Sequence, residues 1–174
     1  MPHSQSLDLH FRLSHRGNPR PTRLMNIAFF LTPKSEVVWV SASGTVEQAL
    51  ERMKPNGFGS VPILDDDGGY VGTLSTGDLM WHLLEAGGTW QEVAHATPLL
   101  RVRRRLDDSA VHIDAEFRQL MARVVTQGFV SVVDDRGVFI GIVRRRPIIE
   151  YLARLLDSIG PATRERALRR ATGA

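Results

Sequence analysis

The sequence predicts an α/β (α+β) chain in which one β-α-β-β-α unit is used twice. The first observation is a stretch and its altered copy. Val61-Pro-Ile-Leu-Asp-Asp-Asp-Gly-Gly-Tyr-Val-Gly-Thr-Leu-Ser-Thr-Gly-Asp-Leu79 reads as strand, acidic turn, strand and helix start, and it returns as Val130-Ser-Val-Val-Asp-Asp-Arg-Gly-Val-Phe-Ile-Gly-Ile-Val-Arg-Arg-Arg-Pro-Ile148. The second is a constant offset: a shift of 69 sets Val61 on Val130, Ile63 on Val132, Asp65 on Asp134, Tyr70 on Phe139 and Gly72 on Gly141. The third is a helix before each hairpin, where a shift of 71 sets Val46 on Phe117 and Leu50 on Met121. The two-residue difference falls in the loop after the helix, where length change is tolerated.

Each element has a local reason. Residues 26–36 hold an apolar cluster and then Thr32-Pro33-Lys34-Ser35, a lead-in segment expected to pack on the core before the first strand. Val37 to Val40 is β-branched and aromatic, hence a strand. Thr45-Val-Glu-Gln48 fits a capping box, followed by Val46, Ala49, Leu50 and Met53 at helical spacing. Pro55-Asn56-Gly57 ends that helix. Val61 to Leu64 and Tyr70 to Leu74 form a hairpin across an Asp-Gly turn. Asp78 to Glu85 reads as a helix stopped by Gly87-Gly88. In the second unit Val111 to Ile113 is the strand, and Asp114 is the candidate cap of the next helix. The second hairpin spans Val130 to Val143, and Pro147 occupies the place of a first helical residue. The expected organisation is a flexible basic tail (1–24), a first unit with its lead-in segment (25–88), a connector (89–109), a second unit (110–159) and a C-terminal basic helix or tail (160–174).

Composition narrows the function classes. The chain has 174 residues, 43% hydrophobic and 24% charged, as in soluble globular proteins. No apolar run approaches the roughly 18 residues of a membrane span, and the first ten residues lack the apolar stretch of a signal peptide. A cytoplasmic location is the default expectation. The absence of cysteine excludes disulfides, thiolate metal sites and cysteine nucleophiles. The pI is 9.9, yet residues 1–24, with four Arg against one Asp, account for the whole net charge of +3. The body is neutral overall, and its basic character lies in Arg101 to Arg105 and Arg144 to Arg146. No nucleophile-base pair or P-loop pattern is present. His82, His95 and His112 have no mutual metal spacing, so no metal site is expected.

The doubled unit resembles a tandem pair of CBS domains. The first copy carries the resemblance in Val61-Pro62-Ile63-Leu64-Asp65, Gly72 to Ser75 and Asp78-Leu79, and the second in Val132 to Asp134, Gly141 to Val143 and Ile148-Ile149. The resemblance covers residues 26–158. It implies two units packed through their sheets as a pseudo-twofold pair, a disc-like homodimer, and no catalytic activity. It also implies a regulatory sensor that binds an adenosine-containing ligand (AMP, ADP, ATP, S-adenosylmethionine or a cyclic dinucleotide) between the units and signals to an effector protein.

On that resemblance Ser75 and Asp78 are the ribose residues, since a carboxylate accepts both hydrogen bonds of a ribose diol. From spacing alone the same pair reads as a helix cap. The base slot would be Val38, Phe58, Gly59, Ser60 and Pro62, with Thr32 and Lys34 closing over the ligand. The second copy departs from the pattern: Arg144 replaces Ser75, Pro147 replaces Asp78, and Ser131 replaces Pro62. Arg144, Arg145 and Arg146, with His112, are therefore candidate phosphate contacts, and a solvated basic turn is the plainer reading. The competing function is nucleic-acid binding or partner scaffolding through Arg101 to Arg105, Arg144 to Arg146 and the basic tails.

Overall fold

The computed structural model describes residues 26–57, 59–104 and 109–158. The expectations for both basic tails, Phe58 and Arg105 lie outside the described residues. A single turn of 3₁₀ helix, Ile27–Phe30, leads into β1 (Leu31–Pro33). The first unit follows as β2 (Val40–Ser41), α1 (Val46–Met53), β3 (Ser60–Leu64), β4 (Tyr70–Ser75) and α2 (Thr76–Glu85). After α3 (Trp90–Ala96) comes the second unit: β5 (Val111–His112), α4 (Phe117–Val124), β6 (Phe129–Val133), β7 (Phe139–Arg144) and α5 (Arg145–Ser158). This is the α/β (α+β) architecture of two β-α-β-β-α units. In each, the first strand runs parallel to the second and the hairpin is antiparallel.

The units meet through their sheets. Alternation along β3 sends Val61 and Ile63 to a core with Val46, Ala49, Met53 and Leu79. Alternation along β6 sends Val130 and Val132 to a second core with Leu120, Val124 and Ile148. A third layer lies between the sheets and contains Val37, Leu64, Phe139 and Ile142, flanked by Trp39, Tyr70 and Phe129. The hairpin tips are joined by backbone: Phe139 N–H donates to Gly68 O at 2.9 Å, and Tyr70 N–H donates to Gly137 O at 3.2 Å. The Tyr70 and Phe139 rings stack beside this bridge, 6.3 Å apart. Each turn is organised by its leading aspartate. Asp65 Oδ1 accepts from the amides of Gly69 (2.6 Å) and Asp67 (3.1 Å). Asp134 Oδ1 accepts from those of Val138 and Arg136, each at 2.9 Å.

Tertiary pairing departs from chain order at the lead-in segment. β1 precedes the first unit, but it pairs antiparallel with β7, giving the sheet order β1-β7-β6-β5. Ile27 and Phe30 are buried in the second core, and that burial draws the segment across. The repeated glycine now has a cause. A Cβ on Gly141 would collide with the backbone carbonyl oxygen of Thr32 in β1, whereas Gly72 holds a φ of +156° that side chains rarely adopt. Arg104 donates to Val71 O at 3.0 Å, meeting the edge of β4 as β1 meets the edge of β7.

Four local expectations change. The strand expected over Val37 to Val40 is only Val40–Ser41, because Val37 turns into the layer between the sheets. The connector contains α3, capped by Thr89 and Glu92 and packed on α1 and α2. Asp114 does not cap α4: its N-cap is Glu116, which makes no side-chain cap bond, and the Asp114 amide donates to His112 Nδ1. Pro147 is the third residue of α5, where its missing N–H still has no intrahelical acceptor.

Gly141→Val should lower stability by about 3 kcal/mol in urea unfolding, since it must displace β1 from β7. A loss no larger than that of an exposed substitution would show that β1 does not depend on this close approach. The hydrogen bond from Val138 N–H, foremost, holds the Asp134 carboxyl below its ordinary range. A carboxylate depressed in the folded state stabilises above its unfolded pKa, and the contribution fades as pH falls through the folded value. Asp134→Ala should therefore be less stable than the parent at neutral pH, and the gap should close in melting curves taken below about pH 4.

Candidate functional site

The two hairpins are tied at their tips, and a cleft of about 330 Å³ opens at their roots. Its first wall is Val37 and Val38 before β2 with Gly59 to Pro62 at the start of β3. Its second wall is Gly128 and Phe129 at the start of β6, Ile142 and Arg144 on β7, and Arg146 at the start of α5. Equivalent bonds hold both roots: Thr76 N–H donates to Gly59 O at 2.9 Å, and Arg145 N–H donates to Gly128 O at 3.0 Å. The cleft is thus apolar inside, with two exposed guanidiniums on one side.

Val38, Gly59, Ser60 and Pro62 of the expected base slot come together on one wall, and Arg144 and Arg146 join them from the other unit. Among the described residues the Arg144 guanidinium has no ion pair or side-chain hydrogen bond. Arg146 Nε donates to Glu150 Oε1 at 2.7 Å, a bond that raises its pKa and keeps the group charged. Arg145 turns away, its Nε donating to Gln127 O at 2.9 Å.

Ser75 and Asp78 form a capping box on α2. Asp78 N–H donates to Ser75 Oγ at 3.0 Å, and Asp78 Oδ2 accepts from Ser75 N–H at 3.0 Å and from Ser75 Oγ–H at 2.6 Å. Asp78 is 4% exposed, and neither residue lines the cleft, although Ser75 lies across the ladder from Ser60. Thr32 is held in β1 opposite Ile142. The Lys34 ammonium lies over the Trp39 ring, 5.6 Å from its centroid, rather than over the cleft.

His112 sits apart from the cleft, beside a separate open groove with Asp114, Gln119 and Arg123. Its Nδ1 accepts from the Asp114 amide at 3.1 Å, so its Nε2 carries the proton and donates to Asp135 Oδ1 at 2.6 Å. His112, Asp114 and Asp135 offer three ligand atoms within 4.8 Å of one another. In the first unit the same place holds Ser41, Ser43 and Asp66, with Ser43 Oγ donating to Asp66 Oδ1 at 2.9 Å. In both units the cluster ties the strand end to the hairpin turn.

Sequence reasoning missed Val37, Val61, Gly128, Phe129 and Ile142 as cleft residues. The signal was present: Gly128 and Phe129 are the copies of Gly59 and Ser60 at the shift of 69.

Residues 30–85 match the family described as CBS domain. No curated protein matches the chain. Among solved structures, CbpB in complex with c-di-AMP is 24% identical over 78% of this chain and 89% of its own, with a TM-score of 0.68. A CBS domain protein from Streptococcus pneumoniae TIGR4 is 25% identical over 74% of this chain and 87% of its own, with a TM-score of 0.67. CBSX2 in complex with AMP is 20% identical over 74% of this chain and 97% of its own, with a TM-score of 0.61. The chain has the fold of these CBS-domain proteins, and residues 30–85 carry the match to the domain family itself.

Proposed function

We propose that the chain is a tandem CBS module, non-catalytic and regulatory, that binds an adenine nucleotide in the cleft at the hairpin roots. The observation that carries this reading is the composition of the two walls. A mostly apolar wall at Val38, Gly59, Ser60 and Pro62 faces two guanidiniums, Arg144 and Arg146. A purine needs the first and its phosphate needs the second. Two proteins of the same fold are solved with adenine nucleotides, c-di-AMP and AMP, which supports the same ligand class here. We assign the ribose to Ser75 and Asp78, where the diol would compete with the Ser75 hydroxyl for the carboxylate. Occupying the cleft would bias the two units toward one arrangement, and an effector protein would read the change through differential affinity.

We also propose a homodimer formed through the outer helices. Met80, Trp81 and Leu84 on α2 are 50%, 43% and 68% exposed, and Ile149 and Leu156 on α5 are 55% and 48% exposed. Large apolar side chains grouped along a helix face are the usual material of an interface.

Calorimetry and thermal melting with AMP, ADP, ATP, S-adenosylmethionine and c-di-AMP test the ligand class. A ligand present at 100 times its Kd should stabilise the protein by about 2.7 kcal/mol. Arg144→Ala with Arg146→Ala should weaken phosphorylated ligands about tenfold and leave adenosine unchanged; equal loss for adenosine would remove the phosphate role. Asp78→Asn keeps an acceptor for the Ser75 amide, so it should fold like the parent but bind about tenfold more weakly. Undiminished binding by that variant would sink the ribose assignment. For the dimer, sedimentation should show two chains in the parent and one in Leu84→Glu; a monomeric parent would contradict it.

A further inference from the structure

One buried hydroxyl on β6 has no partner among the described residues. Ser131 is 3% exposed, and its Oγ makes no hydrogen bond among the described residues. Its direction follows from the strand. Val130 and Val132 enter the second core, so Ser131 points to the opposite face, into the layer between the sheets. Its register partner there is Ile142, and Phe129 is its neighbour two residues along the same face. Both of those side chains line the cleft. In the first unit the same repeat position is Pro62, which also lines the cleft. An apolar residue would fill this place at no cost, whereas a buried hydroxyl without a partner is destabilising.

We propose that Ser131 is a ligand-contacting residue whose hydroxyl hydrogen-bonds the polar edge of a nucleobase inserted into the cleft, after the half-buried Phe129 ring turns aside. The inference rests on the nucleotide reading above and adds a specificity-determining contact to it. The geometry favours the base over the phosphate. The guanidiniums of Arg144 and Arg146 are exposed, while the inner layer is Val37, Phe129 and Ile142. A purine ring presents apolar faces to such a layer, and its inward edge then needs a polar partner. A serine hydroxyl both donates and accepts, so it serves either kind of edge atom. The contact also supplies the differential affinity that a ligand-driven shift requires, because the bound state satisfies a group that the free state leaves unpaired.

The test uses the full chain, AMP and c-di-AMP. Ser131→Ala should melt about 3 °C higher than the parent without ligand, because it removes an unpaired polar group. By calorimetry it should bind the nucleotide about tenfold more weakly, the size of one lost hydrogen bond. Phe129→Ala, which removes the ring that must turn aside in this proposal, should bind more tightly than the parent, and that gain should vanish when Ser131→Ala is added. If the parent binds nucleotide and Ser131→Ala binds it equally well, this inference falls and the nucleotide reading stands. A lower ligand-free melting temperature for Ser131→Ala likewise overturns it, since the hydroxyl then already has a stabilising partner. If the parent binds neither nucleotide, the nucleotide reading falls and takes this contact with it.

Discussion

Two backbone hydrogen bonds, Phe139 N–H to Gly68 O and Tyr70 N–H to Gly137 O, tie the two hairpins tip to tip. Most of the remaining geometry depends on that tie. Joined at the tips and packed through Leu64, Phe139 and Ile142, the hairpins leave their roots facing one another across the cleft. The opening therefore lies between two units, and neither wall alone would make a site. A backbone tie also suits an arrangement used twice, because it asks little of the side chains at the crossing.

The asymmetry of the copies is concentrated at those roots. The first root ends in a Ser75–Asp78 capping box, which satisfies α2 internally. The second root has no such box. Arg144 stands in the cap position and Pro147 in the carboxylate position, so cationic side chains crowd the start of a helix whose dipole disfavours them. The copies trade a cap for charge at the one place where their walls face a shared opening. Away from the roots they stay alike: the turn aspartates accept the same pair of amides, and the strand ends are tied to the turns in both units.

Much of the fold was legible because its causes are local. Thr45 and Gln48 announce the start of α1, and they make the capping box their spacing suggests. The Asp-Gly turns announce the hairpins, since an aspartate carboxylate reaches amides only two and four residues away. The candidate site was legible in part. Val38, Gly59, Ser60 and Pro62 share a wall because they lie at the near ends of adjacent elements in one unit. Lys34 and His112 are held away from the cleft by other groups: the Lys34 ammonium lies over the nearby Trp39 ring, and His112 is bonded to Asp135 and the Asp114 amide.

The sequence by itself determined the duplicated unit, its strand and helix order, and the turn chemistry. Periodicity, capping and turn propensity act over a few residues and can be read from spacing. The tertiary structure alone decided that β1 leaves its neighbours for the second unit's sheet, that two roots make one cleft, and that Ser131 is buried without a partner among the described residues. Burial of Ile27 and Phe30 favours that crossing, and the absent side chain of Gly141 permits it. Neither is visible in spacing, because apolar burial has no preferred direction along the chain and is satisfied wherever three-dimensional packing offers a core.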